Sequence, residues 1–239
     1  MQNRLLVLVG PTACGKTALS IEAAKALDSE IISADSVQLY KRLDIGSAKP
    51  SPEERAQVRH HLVDCVELDS PISAAEYQSM AFAAAEDIYS RNKTPLIVGG
   101  TGLYVNSLTT AMDFAAPPAD ESLRRELLSL CPAELHERLA AVDPESAARL
   151  HVNDVKRAAR ALEVYYTTGK TFTIYSHENA DKPPRYPCVI AGLTMPRAVL
   201  YERIERRVDM MLENGLVDEV AGIAFKKSEY NLPSAPSLK

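Results

Sequence analysis

Residues 4–17 read Arg4-Leu5-Leu6-Val7-Leu8-Val9-Gly10-Pro11-Thr12-Ala13-Cys14-Gly15-Lys16-Thr17, a short β-rich apolar run that passes directly into G-x-x-x-x-G-K-[ST]. The alanine-rich segment Lys16–Leu27 that follows has the periodicity of an amphipathic helix. Strand, loop, helix is the setting in which this motif cradles phosphate. The glycines let backbone N–H groups converge on one anion, and the helix N-terminus adds its dipole. Lys16 adds a mobile positive charge, and the Thr17 hydroxyl can ligate Mg²⁺. The bland alternative, a plain glycine turn, is outweighed because motif and context coincide. A diphosphate or triphosphate ligand follows. Cys14 is incidental, since backbone amides do the cradling.

Working outward, the alternation continues. Glu30-Ile31-Ile32-Ser33-Ala34 reads as a short buried strand, and Ser73-Ala74-Ala75-Glu76 as a capping box opening a helix to about Arg91. Pro95-Leu96-Ile97-Val98 is a further strand, closed by Gly99-Gly100-Thr101-Gly102. This order predicts an α/β fold with a parallel sheet flanked by helices. Near Ala115-Ala116-Pro117-Pro118 the pattern changes to helices alone: Asp120–Leu130, Ala133–Val142, Pro144–Leu150 and a segment from Asp154 to Gly169. Lys182-Pro183-Pro184-Arg185-Tyr186-Pro187 reads as a second linker. Strand-like Cys188–Leu193 follows, then a helix opened by Thr194 and Pro196 that ends near Gly215. We therefore expect a catalytic core of residues 1–115 and 187–239, interrupted by an all-helical subdomain, 116–186. Asn231–Lys239 reads as a frayed end.

Composition sets the class. Of 239 residues, 46% are hydrophobic and 25% charged, ordinary for a chain with a sizeable core. No apolar run approaches the roughly 18 residues of a membrane span, and Leu5–Val9 is too short for a signal-peptide core. The expected compartment is the cytoplasm. Cys14, Cys65, Cys131 and Cys188 are scattered without a CxxC pair, which argues against structural zinc or a disulfide framework. With 27 basic and 32 acidic side chains the net charge is −5, so bulk charge supplies no attraction for nucleic acid.

In such sheets ligands gather at the carboxyl ends of the strands. Asp35 stands there, in Ser33-Ala34-Asp35-Ser36-Val37-Gln38, and reads equally as a turn or cap aspartate. Thr101 sits among glycines that permit close approach of a ligand. His60 and His61, being adjacent, face opposite ways on a strand and make a poor metal site. In the helix after Pro196, Ile204, Val208 and Met211 form the apolar stripe. Arg203 and Arg207 lie about 100° off that stripe, free to reach the rim or merely solvent. Glu202 and Arg206 form an i,i+4 pair that reads as helix support. Lys156, Arg157 and Arg160 make a small basic face that meets either phosphates or water.

Taken together, the chain resembles the tRNA dimethylallyltransferase family, prenyltransferases that modify the adenosine just 3′ of the anticodon. The resemblance is carried by the loop at 10–17, by Ile31–Tyr40, and by Asp44-Ile45-Gly46-Ser47-Ala48-Lys49-Pro50. It continues through His60–Asp64, Val98–Tyr104, Asn153–Arg157, Arg160–Val164 and Arg203-Ile204-Glu205-Arg206-Arg207. It implies a P-loop NTPase-like core, an inserted helical domain that grips the anticodon stem, and dimethylallyl diphosphate as donor. Residue by residue, it implies Asp35 as base at the adenine amino group and Thr101 beside donor and adenosine. Arg207 is implied as a diphosphate ligand, beside Gly10, Pro11, Thr12, Ala13, Cys14, Gly15, Lys16 and Thr17. The implied tRNA contacts are Asp35, Ser36, Val37, Gln38, Thr101, Lys156, Arg157, Ala158, Ala159 and Arg160. Mg²⁺ is the expected cofactor and a monomer the expected state. Two features depart from the family pattern. Cys14 replaces a usual serine, and the family continues past a Leu-Pro-Ser like Leu232-Pro233-Ser234 into a basic segment beyond the 239 residues here. The competing readings are a small-molecule kinase on the same cradle, a free-nucleotide isopentenyltransferase, and a catalytically impaired diphosphate- or RNA-binding short form.

Overall fold

The computed structural model describes residues 3–112, 114, 120–180 and 183–225. The linker expected at 115–118, Lys182 of the second linker and the tail expected at 231–239 lie outside the described residues. The chain divides into two compact units, 1–109 with 184–239, and 110–183. The first unit opens with β1 (Leu5–Val9), α1 (Lys16–Ala26), β2 (Ser29–Ala34), α2 (Pro52–Gln57), β3 (His60–His61), α3 (Ala74–Ser90), β4 (Thr94–Gly99) and α4 (Gly102–Thr109). The second holds α5 (Glu121–Ser129), α6 (Pro132–Val142), α7 (Pro144–Arg149), α8 (Val155–Thr168) and α9 (Phe172–Ala180). The first unit then resumes with β5 (Cys188–Gly192), α10 (Arg197–Glu213) and α11 (Leu216–Phe225).

All five strands are parallel, in the order β3-β2-β4-β1-β5. β2 is buried at every position, as expected of a strand covered on both faces. Successive side chains alternate between two cores. Ile32 and Ala34 join Leu5, Val7 and Ile97 on one side, packed against Tyr77, Ala81, Ala85 and Ile88 of α3 and Tyr104 and Leu108 of α4. Ile31, Leu8 and Leu96 join Ile21 and Ala24 of α1 on the other. The capping box at Ser73 closes as its sequence dictates: Ser73 Oγ accepts from Glu76 N at 3.2 Å and Glu76 Oε2 from Ser73 N at 2.8 Å. The same device at Ser51 and Glu54 opens α2, which the sequence pattern did not reveal because that helix has no buried face. In the second unit Leu127, Leu135, Leu139, Ala147, Ala158, Ala159 and Leu162 form a separate core.

No residue of α10 is buried, and Val208 of the proposed apolar stripe is 46% exposed. Val189 and Ile190 of the edge strand β5 are also more than half exposed. Periodicity identifies an apolar face but not whether another element covers it. No helix among the described residues is long and apolar enough to cross a membrane.

At the N-terminal end of β2, Glu30 is 5% exposed. It receives Arg91 Nη2 at 2.6 Å and pairs with His61 Nε2 at 2.7 Å. Burial pushes this carboxyl up, but the hydrogen bonds and charges of Arg91 and His61 outweigh it, leaving Glu30 below the ordinary glutamate value. The stabilisation is therefore present above the unfolded-state value of about 4.3 and is lost as pH falls through the folded one. We expect Glu30→Ala to cost about 3 kcal/mol at neutral pH in urea unfolding, with a shallower acid limb than the wild type.

Candidate active site

The loops that leave the carboxyl ends of the strands enclose a cleft of about 1000 Å³ within the first unit. Strand order decides what meets there. Because β4 lies between β2 and β1, the turn after β2 carries Asp35 to the side of Thr101, and Thr101 to the side of the loop at 10–17. β5 lies on the far side of β1, so α10, which follows it, brings Arg203 and Arg207 to the same loop.

Gly15 caps α1 with φ +94, a left-handed conformation in which a Cβ is strained, and Ala13 also takes positive φ. Lys16 Nζ lies over the loop, donating to Gly10 O at 2.9 Å and Pro11 O at 2.8 Å. From above, Arg207 Nη1 donates to Thr12 Oγ1 at 3.0 Å. A methyl on Gly15 would stand 3.8 Å from the Arg203 guanidinium. Among the described residues none of Lys16, Arg203 and Arg207 stands in an ion pair, whereas Arg206 is neutralised by Glu202 at 2.7 Å. A chain acidic in sum thus concentrates uncompensated positive charge around one loop, together with helix-end amides.

Opposite lies the carboxylate side. Asp35 Oδ1 accepts from Val37 N at 2.9 Å and Gln38 N at 3.3 Å, the turn role considered from sequence. Oδ2 takes no hydrogen bond from a described residue, which leaves one oxygen available in the cleft. Thr101 N donates to Ala34 O at 3.1 Å, and Thr101 Oγ1 accepts from Ser36 N at 3.0 Å, so the two rim turns are stitched together. Val37 and Gln38 also border the cleft. Beneath it, Tyr77 donates to Ser33 O at 3.0 Å and stacks on Tyr104 with ring centroids 3.7 Å apart.

The remaining site residues fall elsewhere or need correction. The Cys14 side chain is buried beneath the loop and does not line the cleft. Lys156, Arg157 and Arg160 belong to α8 of the second unit, where Arg157 pairs with Asp154 at 2.9 Å and Arg160 with Glu163 at 3.0 Å. Ala158 and Ala159, expected on an RNA-facing surface, are each 1% exposed in the helical core, because every third or fourth residue of that helix must face inward. Sequence reasoning undervalued Arg203, Arg206, Glu202 and Glu54, all of which border the cleft. The available signal was topological: a helix that follows a parallel strand starts at the ligand rim. As for a metal, no cluster of three or more His, Cys, Asp or Glu among the described residues could hold one. The Thr17 hydroxyl lines the cleft beside the cradle. One protein hydroxyl with diphosphate oxygens and water suits Mg²⁺, which keeps much of its hydration.

Fold and loop together define a P-loop α/β protein with an all-helical insertion. Comparison with known proteins narrows this. The chain belongs to the IPP transferase family, whose model matches residues 38–239. It is 48% identical over 239 residues to tRNA dimethylallyltransferase 2 of Geotalea uraniireducens (strain Rf4), covering 98% of this chain and 77% of that relative. It is 47% identical over 227 residues to the tRNA dimethylallyltransferase of Geobacillus thermodenitrificans (strain NG80-2), covering 93% and 72%. Among solved structures, a eukaryotic dimethylallyltransferase acting on tRNA superposes with a TM-score of 0.83 at 29% identity, over 95% of this chain and 57% of that one. The full-length tRNA isopentenylpyrophosphate transferase of Bacillus halodurans gives 0.66 at 41% identity, over 94% and 71%.

The stitching of the rim sets a test. A Cβ on Gly99 would sit 2.1 Å from Ala34 O, so Gly99→Ala must push β2 and β4 apart. We expect a loss of at least about 3 kcal/mol in urea unfolding.

Proposed function

We propose that the cleft transfers a dimethylallyl group from dimethylallyl diphosphate to N6 of the adenosine 3′-adjacent to the anticodon in tRNA, releasing diphosphate. The observation that carries this reading is the pairing, in one cleft, of a cation-lined phosphate loop with a carboxylate whose second oxygen takes no hydrogen bond from a described residue. Departure of a diphosphate needs the first, and alkylation of an amine needs both.

The exocyclic amine is a poor nucleophile because its lone pair is delocalised into the ring. The allylic carbon is a good electrophile because positive charge on it is spread over the allyl system. The barrier therefore lies in charge growing on the departing diphosphate. As the C–O bond breaks, the loop amides, Lys16, Arg203 and Arg207 stabilise that charge, a single such donor being worth ~3 kcal/mol of barrier. Thr17, with the diphosphate oxygens, would hold Mg²⁺, which supplies further positive charge at the leaving group. As N6 bonds to carbon, Asp35 Oδ2 accepts the amine proton, a general-base role worth about 10²–10⁴ in rate. Asp35 Oδ1 stays tied to the Val37 and Gln38 amides, so the carboxylate is held while its other oxygen acts. Thr101, fixed by Ser36, borders the path between donor and acceptor. To reach Asp35 the adenine must leave its stack. The tRNA contacts we assign to Asp35, Ser36, Val37, Gln38 and Thr101 in the first unit, and to the side chains of Lys156, Arg157 and Arg160 on α8. The enzyme on this reading acts as a monomer in the cytoplasm.

The decisive assay incubates the protein with labelled dimethylallyl diphosphate and, in parallel, unmodified tRNA, AMP or no acceptor, with an ATP-hydrolysis control. Label in tRNA supports the proposal; label in AMP alone, or phosphate release from ATP alone, overturns it. Asp35→Ala is expected to lower transfer by about 10²–10⁴ while donor binding persists. Unchanged turnover would remove Asp35 from the mechanism. For Arg207→Ala we expect weaker binding of inorganic diphosphate by calorimetry and turnover slower by about 10²-fold.

A further inference from the structure

On α11, Glu219 Oε2 accepts from the backbone amides of Asp44 at 2.7 Å and Ile45 at 2.8 Å, and Oε1 from that of Gly46 at 2.9 Å. One carboxylate thus fills a concave run of three successive N–H groups that lie 173–175 positions earlier in the chain. We propose that Glu219 is a positioning residue for the acceptor side of the cleft, locking the turn at 43–49 so that it orients Gln38 beside Asp35. The proposal rests on the transfer reading above and deepens it.

The connection can be followed bond by bond. Within the turn, Ala48 N donates to Ile45 O at 2.9 Å and Lys49 N to Asp44 O at 3.1 Å. The almost fully buried Lys49 side chain bridges Asp44 at 2.7 Å and Asp64 at 2.8 Å. Ala48, itself a lining residue of the cleft, is held at φ +46, a conformation a non-glycine residue adopts only under constraint. Its carbonyl accepts Gln38 Nε2 at 3.2 Å, and Ser33 Oγ donates to Gln38 Oε1 at 3.0 Å. Both ends of the Gln38 amide are thereby fixed, and the Gln38 backbone N–H donates to Asp35 Oδ1. None of these bonds involves the loop at 10–17. Loosening the turn should therefore disturb the acceptor side and spare the donor side. A carboxylate suits the task because it presents acceptors only; a glutamine would turn its NH₂ toward at least one of the three donors.

The test uses the full 239-residue chain. In Glu219→Gln we expect amide hydrogen exchange at 44–46 to speed up at least tenfold, with faster exchange at 37–38. In the transfer assay the KM for tRNA should rise about tenfold, while the affinity for a dimethylallyl thiodiphosphate analogue stays within twofold of wild type. Gly46→Ala approaches the latch from the other side, since its methyl would stand 3.2 Å from Leu216 Cδ1 and 3.4 Å from Glu219 Oε1; it should give the same split. Unchanged exchange at 37–38 and 44–46 in Glu219→Gln overturns the proposal, as does an equal loss of donor and tRNA terms, the mark of a merely structural contact. Should the wild type transfer no prenyl group, the functional reading falls by itself, and the exchange measurements still decide whether Glu219 holds the rim.

Discussion

The pairing of β2 with β4 is the constraint on which the site depends. Ala34 and Gly99 face each other in register, so close that only a residue without a side chain fits. From that point the two chains diverge into turns that remain bonded, Thr101 to Ala34 and Ser36 to Thr101. Asp35 is carried between them. Since β4 also pairs with β1, and β1 with β5, the rim reads in order: carboxylate, hydroxyl, phosphate loop, arginines. The chemistry is laid out along one edge of a sheet because parallel strands end on the same side.

β2 and the turn after it carry two carboxylates with different fates. Glu30 lies at the N-terminal end of the strand and is closed off by Arg91 and His61. Asp35, in the turn beyond the other end, has one oxygen that takes no hydrogen bond from a described residue. The first stabilises the sheet; the second faces the cleft. Positive charge is divided in a similar way. Among the described residues most cations pair with a nearby acid, but Lys16, Arg203 and Arg207 stand in no ion pair, and they cluster where the helix end already favours an anion.

The helical insertion obeys a simpler rule. Its core is built from leucines and alanines at helical spacing; Arg157 and Arg160 pair with nearby acids, and the buried Asp143 is held by Ser146 and Thr173. Ala158 and Ala159 belong to that core although Lys156, Arg157 and Arg160 beside them do not. Successive residues on a helix point about 100° apart, so the stretch 156–160 wraps round more than one face and is not a single contact surface.

What the sequence by itself determined was local: the loop from Gly10 to Thr17, the strands with their apolar runs, the capping box at Ser73, and the change to helices in the middle of the chain. These depend on interactions within a few residues, where period, cap and glycine conformation leave little choice. Tertiary structure alone decided which ends became neighbours. Strand order brought Arg203 and Arg207 over the phosphate loop, and among the described residues left the stripe of α10 half-buried at best. It also seated Glu219 in the amides of Asp44, Ile45 and Gly46. No residue type announces such contacts, because a carboxylate on a helix is equally content in water, and only the path of the chain through space supplies the donors it meets.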